Sequence, residues 1–346
     1  MKLPRAVYQQ FQALVTRGKF PASVETLTRA DLPSCSTVRA QPGDCDLLVK
    51  VQYSTLNYKD AMVVTGKYPG LKPPMVGGID LVGSVLETKS SNLKVGQNVV
   101  VNGWGIGTDH YGGYAGEARL RSEWAIPLPS VLTAESAAKI GTAGYTAMLC
   151  VQGLENQGLS PGDGPILVTG ATGGVGSVSV LLLSQLGYEV IAVSGKAKAE
   201  GDYLKSIGAS QVLERSEFEV DPKPLGKERF AGCVDSCGGK ILANVLTLTK
   251  SGGAVSACGL AGGMPLNTTV APFILRGVTL VGIESVFLKT EKRLAAYERF
   301  SPLLTSDKLA LVSGEGQTVG LAALPELGMQ MLKGGVRGRY IVDLSL

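Results

Sequence analysis

Two hydrophobic periods divide the chain. From Phe11 to about Pro129 the apolar positions come in short runs of period two. Asp46–Tyr53 (DLLVKVQY) alternates as a half-buried strand, Asp80–Glu87 (DLVGSVLE) forms another, and Gln97–Val101 (QNVVV) follows the turn Lys94-Val95-Gly96. Phe11–Val15 begins the first strand. Such spacing predicts antiparallel strands in a partly open β-barrel rather than βαβ units. Beyond it, Ala134–Leu154 reads as a helix, and its small-residue stretch Ile140–Ala147 allows close packing or close approach to a ligand. Helix and strand then alternate: helix around Ala199–Ile207, strands Gln211–Leu213 and Gly232–Asp235, helix Ile241–Lys250, strand Gly253–Cys258, continuing to about Val281. That alternation predicts a doubly wound parallel sheet, an α/β fold. The tail has a helical pattern near Leu324–Leu332, with Pro325 suited to a first turn, and a closing strand at Gly338–Leu344. The expected organisation is a β domain over 11–135, completed by 290–346, and a nucleotide domain over 136–289, with a cleft between them.

The strongest chemical signal is Pro165–Lys196, PILVTGATGGVGSVSVLLLSQLGYEVIAVSGK. Ile166–Val168 is a short β-rich run; the glycines Gly170, Gly173, Gly174 and Gly176 follow, and apolar residues then recur at helical spacing. Val190–Val193 closes a unit of about 30 residues, the length of a βαβ dinucleotide-binding crossover. Glycines there let the chain turn tightly and let backbone and helix N-terminus approach a pyrophosphate. In an NAD site, an Asp or Glu about 20 residues further on accepts from the ribose hydroxyls. Here Ser194-Gly195-Lys196 takes that place, so a hydroxyl, a bare backbone and an ammonium face a ribose phosphate that a carboxylate would repel. NADPH is the expected cofactor.

Composition narrows the remaining classes. At 45% hydrophobic and 18% charged, with a net charge of +4 spread without basic blocks, the chain is globular and nucleic acid is not an expected partner. No apolar run reaches the roughly 18 residues of a membrane span. Met1–Phe20 carries Lys2, Arg5, Arg17 and Lys19 and no acid, which allows a transit-peptide reading, but it lacks serine enrichment and cytoplasm is favoured. The 6 cysteines show no Cys-x-x-Cys spacing and read as reduced core residues.

Several longer words resemble the medium-chain dehydrogenase/reductase superfamily, and within it the acrylyl-CoA reductase branch of the quinone oxidoreductase-like proteins. They are Ser54–Asp60 (STLNYKD), Gly78-Ile79-Asp80, Gly103-Trp104-Gly105, Gly141–Cys150, Val168-Thr169-Gly170, Cys258–Gly263 and Pro272–Arg276. The resemblance implies a GroES-like β-barrel domain followed by a Rossmann domain. It also implies cofactor contacts from Tyr58, Thr172, Gly173, Gly174, Val175, Gly176, Ser194, Gly195, Lys196, Arg215, Gly259, Leu260, Ile274 and Ser285, and a homodimer. Lys196 stands where related sequences often carry arginine, which keeps the charge and loses the fork geometry. By itself Arg215 reads as a surface side chain after a strand.

Zinc alcohol dehydrogenases of the superfamily place Cys and His-Glu where this chain has Asn57 and Ile79-Asp80, which cannot supply a thiolate and an imidazole. No metal is expected, and His110, the only histidine, is expected to cap a loop or line the cleft. Hydride addition to an activated carbon–carbon double bond needs no Lewis acid, only orientation and donors for the developing enolate. Tyr58, Tyr68 and Asn57 are the candidate donors or proton sources, while Lys59 and Asp60 are expected to form a structural ion pair. The leading expectation is reduction of a short 2-enoyl-CoA such as acryloyl-CoA. A quinone or small-enone reductase, and a non-catalytic NADPH-binding protein, remain the alternatives.

Overall fold

The computed structural model describes residues 9–35, 45–300, 302–313 and 316–346. Residues 1–8, the first part of the Met1–Phe20 stretch on which the transit-peptide reading rests, lie outside them. In chain order the first elements are β1 (Gln10–Thr16), β2 (Ser23–Thr28), β3 (Leu47–Leu56), α1 (Tyr58–Val64), β4 (Met75–Val76), β5 (Asp80–Thr88), β6 (Asn98–Asn102), β7 (Glu117–Leu120), β8 (Ala125–Pro127) and α2 (Ala134–Glu155). There follow β9 (Ile166–Val168), α3 (Gly174–Gln185), β10 (Val190–Ser194), α4 (Ala197–Ser206), β11 (Gln211–Glu214), β12 (Phe230–Asp235), α5 (Gly239–Leu248), β13 (Thr249–Ala257), α6 (Ala271–Arg276) and β14 (Thr279–Gly282). The chain closes with α7 (Thr290–Phe300), α8 (Ser306–Val312), β15 (Thr318–Val319), α9 (Leu324–Leu332) and β16 (Tyr340–Asp343).

Two compact units result: Met1–Thr142 with Val286–Leu294 and Glu315–Leu346, and Ala143–Ser285 with Ala295–Gly314. The return to the first unit therefore comes in two pieces rather than as one stretch from 290, because α8 packs on α3 of the second unit.

In the first unit a seven-stranded sheet runs β15-β16-β3-β5-β6-β8, with β7 also pairing β3, beside a three-stranded sheet β2-β1-β4. The period of two has its expected cause. Leu47, Val49 and Val51 of β3 turn inward with Leu81, Val99, Val101 and Trp124, while Lys50 between them is exposed. Each such aliphatic side chain contributes roughly 1.5–3 kcal/mol by leaving water. A second cluster, Leu14, Leu56, Val64, Tyr114, Leu324 and Val342, ties α1 and α9 to the sheet.

The second unit holds a six-stranded parallel sheet, β11-β10-β9-β12-β13-β14, the doubly wound order with β9 as its first strand. All residues of β9, β10 and β12 are buried, as strands covered on both faces must be, so their sequences run apolar without alternating.

The cysteines depart from expectation. Cys35 and Cys45 are joined in a disulfide with a Cα–Cα distance of 5.2 Å, while Cys150, Cys233, Cys237 and Cys258 are free. The separation of 10 residues matches no motif, and the pairing depends on the fold bringing the segment after β2 against the start of β3. His110 departs as well: it is 2% exposed inside the first unit, edge-on to Trp124, with Nε2 donating to the Arg119 carbonyl at 2.7 Å. It is a core histidine; burial holds its pKa below the usual value, which keeps it neutral.

Candidate active site

The glycine loop between β9 and α3 lies at the carboxyl ends of β9 and β10, where the strand order reverses. Gly173 is the N-cap of α3 and contributes no side-chain cap, which leaves first-turn N–H groups for an anion. A Cβ on Gly176 would lie 2.3 Å from the Gly170 carbonyl oxygen, so only glycine lets helix and loop approach this closely. Thr172 Oγ1 and Ser194 Oγ are 3.1 Å apart, and the Lys196 N–H donates to Ser194 Oγ at 3.0 Å. Ser194 pairs in register with Glu214 across β10 and β11, which places Arg215 beside Gly195; a Cβ there would meet Arg215 Cζ at 3.0 Å. Ser194, Lys196 and Arg215 thus all stand at the ends of two adjacent strands. This cradle fits a nucleotide carrying a ribose phosphate. Arg215 also pairs with Glu219 at 2.8 Å, both half in solvent, a bond of small net value.

Beside the cradle a concavity of about 280 Å³ is lined by Arg215, Cys237, Lys240, Ile241 and Ala261. Burial raises the Cys237 thiol to about 11, with the Asp235 charge adding, so it stays protonated at neutral pH. Cys237, Lys240 and Ile241 are not among the expected contacts, although they sit around the pair Gly238-Gly239. Their register after β12 is the signal that points to them. Gly259 approaches the Ser236 carbonyl so closely that a Cβ would meet it at 2.4 Å. Leu260 and Ile274 are 57% and 73% exposed, and Ser285 follows β14.

In the first unit Asn57 is the N-cap of α1, closing a capping box with Asp60, and this cap sets Tyr58 as the first helical residue with 47% of its surface exposed. Tyr68 is half-buried in the following loop, its N–H bonded to the Met62 carbonyl at 3.0 Å. Asn57 faces inward. Its Nδ2 donates to Thr55 Oγ1 at 2.9 Å, Asp60 Oδ2 at 3.0 Å and Asp80 Oδ2 at 2.9 Å, and its Oδ1 accepts from Arg339 Nη1 at 3.0 Å. Both amide hydrogens are thus spent inside the protein.

Asp80, 1% exposed, further accepts from Thr55 Oγ1 at 2.5 Å, Asn102 Nδ2 at 2.7 Å, the Thr142 N–H at 3.0 Å and the Thr142 hydroxyl. The expected Lys59–Asp60 ion pair does not form. Asp60 is fully buried and accepts from the Asn57 and Ile79 N–H groups at 3.0 and 2.9 Å, the demand of the helix start outweighing a solvent lysine. Burial, with the Asp80 charge second, raises the Asp60 carboxyl to about 7.

A zinc ion does not fit this cluster. Its groups are an amide, hydroxyls, two carboxylates and the buried Arg339, whose Nη2 lies 4.0 Å from Asp80 Oδ2, a cation where a divalent metal would need thiolate or imidazole.

The comparisons agree with both halves of this geometry. Residues 43–130 match the alcohol dehydrogenase GroES-like domain, and residues 174–298 match the zinc-binding dehydrogenase family. The chain is 46% identical over 343 residues to acrylyl-CoA reductase AcuI of Ruegeria pomeroyi, covering 97% of this chain and 99% of that one. The structure of YhdH from E. coli K-12 with bound NADPH superposes with a TM-score of 0.90 at 43% identity, covering 96% of this chain and 100% of that one. The yhdH oxidoreductase of Salmonella enterica in complex with NADP gives a TM-score of 0.90 at 42% identity, covering 96% and 99%. A β-barrel unit and a doubly wound nucleotide unit, joined in this order and matched end to end, establish that the chain belongs to the medium-chain dehydrogenase/reductase superfamily, on its acrylyl-CoA reductase branch.

Proposed function

We propose that the chain reduces the carbon–carbon double bond of a short 2-enoyl-CoA, acryloyl-CoA foremost, to the saturated thioester with NADPH. The observation that carries this reading is the Asn57–Asp80–Arg339 cluster. It fills the place of a carbonyl-polarising metal with a closed hydrogen-bond network, and conjugate reduction is the reaction that needs no such metal. The similarity to acrylyl-CoA reductase over nearly the whole chain supports the substrate class.

When bound, NADPH supplies the hydride. The N-terminus of α3 and the loop Gly173–Gly176 hold its pyrophosphate, and Ser194, Lys196 and Arg215 hold the ribose phosphate. Tyr58 and Tyr68 are the groups assigned to hold the enolate oxygen or pass a proton to the α-carbon, a role suited to a phenol. Asn57 positions Tyr58 through the helix cap.

We further assign a homodimer and a cytoplasmic location. Among the described residues β14 pairs only with β13 and so ends its sheet, and Val270, Ile274 and Leu275 nearby are 66%, 73% and 66% exposed. An open strand edge beside an apolar surface is suited to a second copy. Light scattering that reports a monomer at micromolar concentration would remove this assignment. No helix among the described residues is long and apolar enough to cross a membrane.

The test is a series of NADPH oxidation rates with acryloyl-CoA, crotonyl-CoA, methyl vinyl ketone and benzoquinone. Acryloyl-CoA is expected to give the highest kcat/KM. Benzoquinone or methyl vinyl ketone ahead of both thioesters would turn the reading to a quinone or enone reductase. Tight NADPH binding without oxidation would make the protein a non-catalytic binder.

A further inference from the structure

We propose that Cys35 and Cys45 are a reversible dithiol/disulfide site, opened by a small thiol at Cys45 and closed again by Cys35, with His110 as hydrogen-bond donor to the buried sulfur. The two sulfurs differ in access. Cys35 is 0% exposed within the core around Val49, Leu81 and Trp124, whereas Cys45 is half-buried at the margin of that core. An attacking thiolate must reach the sulfur from outside, so Cys45 is the one attacked and Cys35 the leaving group.

His110 supplies a second, independent observation. Its Nε2 lies 3.9 Å from Cys35 Sγ and 2.7 Å from the Arg119 carbonyl oxygen. A carbonyl only accepts, so that bond fixes the proton on Nε2, which leaves the Cys35 sulfur 3.9 Å away as the weaker second acceptor of that N–H. The other ring nitrogen, Nδ1, is buried with no partner among the described residues. A neutral imidazole N–H beside a departing thiolate stabilises it where water does not reach.

The exchange balances as follows. The thiolate of a small thiol RSH attacks Cys45 Sγ, an RS–S(Cys45) bond forms, and the Cys35–Cys45 bond breaks with its electron pair on Cys35, which takes up the proton that RSH released. A second RSH attacks the mixed disulfide, releases RSSR and leaves Cys45 as a thiol. Two electrons and two protons thus pass from two RSH to the pair, and RSSR reverses the sequence. Disulfides inside cells are usually transient or redox-sensing, which matches a pair with one open flank. The pair ties the segment after β2 to the start of β3, and the far end of β3 leads into Asn57 and Tyr58.

The test uses the full chain, glutathione as the thiol, differential alkylation and peptide mass spectrometry. Oxidised protein is expected to show one linked peptide pair, Cys35–Cys45, that millimolar glutathione opens while the protein stays folded by circular dichroism. Cys35→Ser is expected to accumulate a stable glutathione adduct on Cys45, Cys45→Ser to carry about tenfold less adduct on Cys35, and His110→Gln to open more slowly. The alkylation map of the unmutated protein decides the matter even if a variant fails to fold. Absence of the linkage in oxidised protein, an adduct on Cys35 instead of Cys45, or a linkage that yields only on unfolding would overturn the proposal. A reduced pair that takes up Zn²⁺ and no longer reoxidises would overturn it too.

Discussion

Arg339 Nη1 donates to Asn57 Oδ1 at 3.0 Å, although 282 residues separate the two in sequence. The residue is 1% exposed, and its Nη2 lies 4.0 Å from Asp80 Oδ2, a buried cation set against that carboxylate. A helix cap near the start of the chain is thus completed from its far end.

Removing that cation should therefore be costly. Arg339→Met leaves Asp80 buried with its hydrogen bonds but without a countercharge, and loss of one partner of a buried pair costs about 3–5 kcal/mol. The hydrogen bonds that remain on Asp80 place the expectation at the low end. Thermal unfolding checks it: the melting temperature falls, Arg339→Lys recovers part of the loss, and an unchanged transition in Arg339→Met would show that the cluster needs no cation.

Asp60 gives a pH signature with a definite sign. Its carboxyl moves from 3.8 to about 7 on folding, so the folded protein keeps a proton that the unfolded chain releases. The contribution is fully present below about 4 and declines by about 1.4 kcal/mol per pH unit until it is gone above about 7. Asp60→Asn lacks this titration. The stability difference between the unmutated protein and the variant, measured by urea unfolding, should shrink from pH 4 to pH 7 and stay level above; a level difference throughout contradicts it.

At the nucleotide loop, Gly176→Ala should weaken NADPH binding. A methyl 2.3 Å from the Gly170 carbonyl forces the start of α3 away from the loop. A loss of about tenfold in Kd, equal to about 1.4 kcal/mol, is expected by fluorescence titration with the fold retained. Binding unchanged within error would mean the loop relaxes without consequence.

Lys196→Glu should act on the choice of cofactor. A carboxylate in place of the ammonium repels the ribose phosphate and accepts ribose hydroxyls instead. The ratio of kcat/KM for NADPH over NADH should fall by about a hundredfold, from the loss of one or two charge-assisted hydrogen bonds. Equal use of both cofactors by the unmutated protein would defeat the assignment of Ser194, Lys196 and Arg215.

What the sequence made legible follows from where the information lies. The βαβ fingerprint is local, and Ile166–Val168, the glycines and Val190–Ser194 fall in the structure where period and spacing put them. Helix α9 over Leu324–Leu332 was equally plain because its apolar face repeats over two turns. Helix α1, Tyr58–Val64, was not legible: seven residues are too few for a period, and its start depends on a cap held by Asp80 and Arg339. The buried cluster gathers Thr55, Asn57, Asp60, Asp80, Asn102, Thr142 and Arg339 from five separate stretches, and nothing in any one of them shows that they meet. Arg215 became a site residue only through the register of β10 with β11. The cysteine pair and His110 meet through sheet packing that no spacing rule encodes.

The pairing of β16 with β3 carries a consequence for biosynthesis. While the ribosome is still adding residues, the second unit has its whole parallel sheet by Gly282, but the first lacks Arg339 and β16 until residues 339–343 are added. The earlier-made barrel therefore waits with Asp80 uncompensated, and the order of maturation runs against the order of synthesis.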